Sequence, residues 1–160
     1  MHRYIYDTQI GKILIEENND AITRVSMHLD DSNYDTLSDF TETPLLHAAY
    51  TELNEYLCGK RKVFSVPLRP EGTEFQKKVW NALCEIPYGE TKNYGEVASK
   101  IGNKKAQRAV GMANHKNPIM IFIPCHRVIG ANGKLTGYAA GIFLKERLLT
   151  LEKSGMKMKL

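Results

Sequence analysis

The architecture turns on Lys92-Asn93-Tyr94-Gly95-Glu96-Val97-Ala98-Ser99-Lys100-Ile101-Gly102-Asn103-Lys104-Lys105-Ala106-Gln107-Arg108-Ala109-Val110-Gly111-Met112-Ala113-Asn114-His115-Lys116. Tyr94, Val97, Ala98 and Ile101 share one side of a helix expected over 92–101. Gly102-Asn103 makes a tight turn, and a second helix is expected over 104–115. Two short helices joined by a Gly-containing turn form the helix-turn-helix pattern, which many helical hairpins share. Charge narrows the reading: Lys92, Lys100, Lys104, Lys105, Arg108 and Lys116 stand against only Glu90 and Glu96. Ala106, Ala109 and Ala113 fall at i, i+3 and i+7, with Gly111 between them. Such a smooth face suits close approach to a minor groove, and equally suits tight helix packing inside the protein.

Just downstream, Ile119 to Ile123 is wholly apolar and β-prone, which predicts a buried strand, with Asn117-Pro118 turning into it and Pro124 ending it. Cys125 and His126 follow at once. A thiol has an ordinary pKa of about 8.5 and only its thiolate is a strong nucleophile. An imidazole that takes its proton, directly or through one water, raises the reactive fraction at neutral pH. Adjacent strand residues point to opposite faces, so the pairing demands a turn at Pro124-Cys125. A carboxylate should orient the imidazole, and spacing leaves Glu146 and Glu152 as equal candidates. A lone Cys-His pair is more often structural, and His115, Cys125 and His126 do not make a zinc pattern.

Upstream, Thr73 and Gln76 form a capping box that opens a helix to about Glu85, with Phe75, Val79, Trp80 and Leu83 as its apolar stripe. Pro67, Pro70 and Gly72 mark a boundary, which divides the chain into residues 1–70 and 71–160. The first part reads as three short strands at Tyr4–Tyr6, Lys12–Glu16 and Ala21–Met27, then a polar loop over Asp30–Glu42. A helix over Pro44–Leu57 follows, with Thr43 as N-cap and Gly59 as terminator. Nothing in this part suggests chemistry. The fold class expected is α+β: a three-stranded antiparallel sheet plus helix, then a mostly helical domain with a helix-turn-helix or winged-helix-like motif.

The 160 residues are 42% hydrophobic and 25% charged, a globular composition that excludes disorder and coiled coil. The apolar run Pro118–Pro124 is far short of the roughly 20 residues that span a bilayer, so no membrane partner is expected. Met1 to Asp7 lacks secretory features, and three widely spaced cysteines (Cys58, Cys84, Cys125) suit a reducing cytoplasm. The net charge of +4 divides into −4 over residues 1–70 and +8 over 71–160, which points the second part toward a polyanion.

The string Ile123-Pro124-Cys125-His126-Arg127-Val128-Ile129-Gly130 resembles the active-site signature of the O6-alkylguanine-DNA alkyltransferases. The resemblance extends over about residues 73–153, through Val79-Trp80, Pro87-Tyr88-Gly89-Glu90-Thr91, Arg108-Ala109-Val110-Gly111, Ala113-Asn114, Asn117-Pro118 and Gly137-Tyr138. It implies stoichiometric transfer of an alkyl group from O6-alkylguanine, with O4-alkylthymine as a possible second lesion, to Cys125. His126 would be the base through a water, Glu152 its orienter, Tyr94 the proton donor to the leaving purine, and Asn117 the hinge. Arg108 would fill the space of an extruded guanine. Lys104, Lys105, Ala106, Ala109, Gly111, Tyr94 and Arg127 would face DNA. Met120, Val128, Tyr138, Ala139 and Ala140 would line the substrate pocket. The partner implied is double-stranded DNA, met by a monomer, with no cofactor and no metal. Lys104, where the family often has Pro, Asn93, where it usually has Ser, and Ala140, at a frequent Gly, depart from its pattern. A damage-binding or regulatory DNA-binding module without alkyl transfer is the competing reading, and the presence of Cys125 disfavours it.

Overall fold

A computed structural model describes residues 1–27 and 40–154. The chain opens with three antiparallel strands, β1 (His2–Thr8), β2 (Gly11–Asn18) and β3 (Ala21–Met27), in the order β1-β2-β3. The first two run longer than their apolar centres predict. Asn19 and Asp20 join β2 to β3 with φ of 51° and 62°, a turn whose twist matches paired antiparallel strands and which Asn and Asp tolerate. The loop expected over 30–42 lies largely outside the described residues. Helix α1 (Pro44–Leu57) begins as its sequence predicts: Thr43 accepts the Leu46 N–H and Pro44 occupies the first turn.

Helix α2 (Glu74–Cys84) carries its capping box, with Thr73 and Gln76 each bonded to the other's N–H. The helix-turn-helix is α3 (Tyr94–Lys100) and α4 (Gln107–His115), and both are shorter than expected. Lys92 and Asn93 form strand β4, parallel to β5 (Val128–Ile129), and Asn93 then caps α3. Lys104, Lys105 and Ala106 precede α4, because the Asn103 side chain holds the Lys105 N–H in a turn at 3.2 Å. The small-residue face also divides. Ala113 is buried, its carbonyl accepting the Trp80 indole N–H at 2.9 Å, while Ala109 is exposed. Internal packing therefore claims one end of that face and solvent the other.

The expected strand over 119–123 does not form. The chain pairs briefly with β3, Val25 N–H donating to Pro118 O and Met120 N–H to Val25 O. It then folds on itself around Ile121, whose φ is +71°, with the Phe122 N–H donating to the Met120 carbonyl at 2.8 Å. A β-branched residue in left-handed conformation is strained, and it is held here by a side chain only 1% exposed. The apolar run encoded burial, and burial is satisfied by an irregular turn as well as by a strand. A second tight turn follows at Pro124 (φ −80°, ψ 64°), closed by the Cys125 N–H on the Ile123 carbonyl. A turn at Pro124-Cys125 is thus present, as expected.

Helix α5 (Ile142–Ser154) closes the chain. One apolar core runs from Ile15 and Ile22 of the sheet, through Leu53 and Tyr56 of α1, to Trp80, Ile119, Val128 and Leu148. Among the described residues, no helix is long and apolar enough to cross a membrane.

Candidate active site

Cys125 opens a single 3-10 turn, Cys125–Arg127, immediately after the Pro124 bend. The bend is tied to its surroundings by Asn117, whose Nδ2 donates to Ile123 O at 2.8 Å and to Cys125 Sγ at 3.1 Å. Asn117 Oδ1 accepts the Ile119 N–H at 3.0 Å, so one side chain spans the whole irregular segment. Asn114 of α4 donates to the Cys125 carbonyl at 3.3 Å, which couples the second helix of the helix-turn-helix to the nucleophile's backbone.

The sulfur lines a cavity of about 170 Å³. At about 30 Å³ per water in the liquid, that volume equals roughly six waters, the scale of a two-ring base. Met120, Tyr138, Ala139 and Ala140 line it as expected, with Asn117 and His115. Val128 does not: it is fully buried in β5, where it pairs with Lys92, and belongs to the core. The remaining wall was not foreseen, being Val25, Ser26 and Met27 of β3. A larger cleft of about 420 Å³ lies between α2 and α3, but no thiol or imidazole faces it.

Burial pushes the Cys125 thiol up. The Asn117 amide, the Lys145 ammonium and the Tyr138 hydroxyl pull it back only in part. The resting group is therefore a thiol that needs a base. His126, the next residue, has a fully buried ring whose Nε2 lies 2.6 Å from Glu152 Oε2. That nitrogen faces a carboxylate and so carries the ring proton. Nδ1 is left buried, with no partner among the described residues. Desolvation lowers the imidazole's affinity for a second proton, against the opposing pull of Glu152, so the ring rests neutral.

The choice between the two glutamates is resolved by burial. Glu146 is exposed, whereas Glu152 is 5% exposed. Burial alone would raise its carboxyl, but hydrogen bonds from His126, Arg127 and Tyr56 overcome that and hold it down to about 2. Arg127 grips it as a fork, Nε to Oε1 at 2.8 Å and Nη2 to Oε2 at 3.0 Å. Arg127 is thus not a DNA contact. Its guanidinium is buried and spends its remaining reach on the Ile86 carbonyl at 2.6 Å.

Two residues of this network were missed. Lys145 is fully buried on α5, donating to Thr136 O at 3.2 Å. Lys145, Leu148 and Glu152 recur at i, i+3 and i+7, so reading the apolar stripe of α5 would have exposed two charges on its buried face. The second is Tyr56 of α1, whose hydroxyl donates to Glu152 Oε2 at 2.5 Å and lies 3.3 Å from His126 Nε2. A phenol on the apolar stripe of a helix needs a polar partner, and that was the available signal. The first 70 residues therefore contribute a side chain to the hydrogen-bond network around Glu152.

Tyr94 opens α3, and its hydroxyl shares a 2.5 Å hydrogen bond with Thr136 Oγ1. Lys104, Lys105, Arg108 and Ala109 are solvent-exposed around the start of α4, and Ala106 is half-buried. Gly111 is half-buried beside the Tyr94 ring, 3.8 Å from where a Cβ would stand.

Residues 74–154 match the family model for the 6-O-methylguanine DNA methyltransferase DNA binding domain, and residues 1–70 match that family's ribonuclease-like domain. The chain is 51% identical over 155 residues to a methylated-DNA–protein-cysteine methyltransferase of Methanosarcina acetivorans, covering 96% of this chain and 99% of that protein. A constitutive methylated-DNA–protein-cysteine methyltransferase of Bacillus subtilis is 46% identical over 158 residues, covering 96% of each chain. Among solved structures, Mycobacterium tuberculosis OGT in complex with DNA superposes with a TM-score of 0.86 at 44% identity, covering 98% of this chain and 95% of that one.

Proposed function

Because the chain belongs to the 6-O-methylguanine DNA methyltransferase family, we propose that it repairs alkylated DNA by moving the alkyl group from guanine O6 to its own Cys125. The observation that carries this reading is that Cys125, 4% exposed, lines a cavity of base size and shares one 3-10 turn with a neutral, carboxylate-bound imidazole.

In this reading, His126 Nδ1 accepts the Cys125 proton, directly or through one water. The sulfur then attacks the alkyl carbon, the S–C bond forms and the C–O6 bond breaks. The electron pair passes to the purine, which takes a proton from Tyr94. His126 and Tyr94 re-equilibrate with solvent, so charge and protons balance. Glu152 stays ionised throughout and stabilises the imidazolium. The product is a thioether with no leaving group to restore the thiol, so each molecule reacts once.

DNA is the partner. The exposed Lys104, Lys105 and Arg108 suit its backbone, and a guanine reaches the buried sulfur only by leaving the stack, with Arg108 filling the gap. Residues 71–160 carry the transfer chemistry and most of the positive charge, and residues 1–70 form the support. Three free thiols suit a reducing compartment such as the cytoplasm.

Incubation with DNA containing O6-methylguanine should raise the intact-protein mass by one methyl in place of a proton. A Cys125→Ala protein that gains the same mass would end the assignment.

A further inference from the structure

Tyr56 belongs to the support half, yet its hydroxyl is seated in the catalytic relay. It is fully buried and reaches across from α1 to α5, 96 positions along the chain, to bond Glu152 Oε2 at 2.5 Å. The same oxygen atom of Glu152 accepts the His126 Nε2–H at 2.6 Å, and Tyr56 Oη stands 3.3 Å from that nitrogen. We propose that Tyr56 is a positioning residue for alkyl transfer. It shares one carboxylate oxygen with the imidazole, and so holds His126 as the tautomer and orientation that leave Nδ1 unprotonated. The inference rests on the alkyl-transfer reading and extends it to the first 70 residues.

The geometry leaves Arg127 and Gly89 to fix Glu152 in space. Arg127 binds both carboxylate oxygens, and the Gly89 N–H donates to Oε1 at 3.2 Å. What Tyr56 adds is a competing donor at Oε2. Burial and the adjacent carboxylate keep the phenol protonated at neutral pH, so it donates and never accepts the imidazole's proton. By drawing on the Oε2 lone pairs, it limits how strongly Glu152 stabilises an imidazolium. The charged and titratable groups facing His126 are Glu152 and Lys145 from α5, Arg127 from its own turn, and Tyr56 with Tyr88 behind it. Arg127 and Lys145 already disfavour the imidazolium, and Tyr56 acts in the same direction through Glu152.

Tyr56→Phe tests this, because the ring and its packing against Phe64 and Tyr88 are retained. Single-turnover alkyl transfer to wild type and Tyr56→Phe should be followed across the acid limb of the pH profile. The variant should react about tenfold more slowly at neutral pH, because more of its resting His126 already holds the second proton and cannot take the thiol's, a barrier change of about 1.4 kcal/mol. Its acid limb should move to higher pH, because an unshared carboxylate holds the second proton on His126 more tightly. Rates and limb equal to wild type would overturn the role and leave the alkyl-transfer reading intact. A wild-type protein that accepts no alkyl group would overturn both. Nitrogen NMR of the unreacted wild-type protein reads the same claim without any variant: His126 should show a protonated Nε2 and a bare Nδ1, and the reverse tautomer would overturn it.

Discussion

The relay behind Cys125 and the start of α4 both carry charge, under opposite conditions. His126, Arg127 and Glu152 are each under 8% exposed, and every charge there is matched by a partner. Lys104, Lys105 and Arg108 stand in solvent. Buried charges interact strongly and are costly to orphan, whereas exposed ones are screened and cheap to change. The first group should therefore govern folding, acid tolerance and the chemical step, and the second should govern DNA affinity alone.

The largest effect comes from orphaning a buried charge. Glu152→Ala leaves Arg127 without its fork and should cost roughly 3–5 kcal/mol, read from urea midpoints. Arg108→Ala should stay within about 0.5 kcal/mol in the same assay. Equal costs would erase the contrast between the two regions.

Acid should act in two stages through the same relay. His126 is held neutral in the fold, while the unfolded chain takes a proton near pH 6.5, so stability falls as the pH drops below that value. Glu152 is held to about 2 against an ordinary value of 4.5, so its contribution is present above 4.5 and is lost as the pH falls toward 2. Each stage has a limiting slope of about 1.4 kcal/mol per pH unit per proton. In His126→Gln the upper stage should disappear, and its persistence would place the titration elsewhere.

The smallest effect on folding belongs to Lys104 and Lys105, where the contrast sharpens instead in binding. Each Lys→Ala change should lower the slope of log affinity against log salt by about 1, with the alkyl-transfer rate at saturating DNA unchanged. A changed rate at saturation would mean that this surface reaches the chemical step.

Much of this was legible along the chain because the signals are local. Thr73 and Gln76 lie three positions apart and cap one helix end, and Pro124 makes its bend with its neighbours. The Ile119–Ile123 run misled because hydrophobicity reports burial and not backbone path. Arg127 misled because a basic side chain next to an active-site histidine has the same formula whether it faces DNA or a buried glutamate. Tyr56 was silent because its partner is 96 positions away.

The sequence by itself determined the Cys125-His126 pair, the helix-turn-helix and the concentration of positive charge in the second part. These follow from residue type and short-range spacing, which the chain carries into any conformation. The tertiary structure shows Glu152 meeting His126, and it alone decided that Arg127 turns inward and that β3 and α1 complete the site. Those outcomes depend on how one shared core brings distant helices and strands together, because the worth of a charge or a hydroxyl is set by what surrounds it once water is excluded.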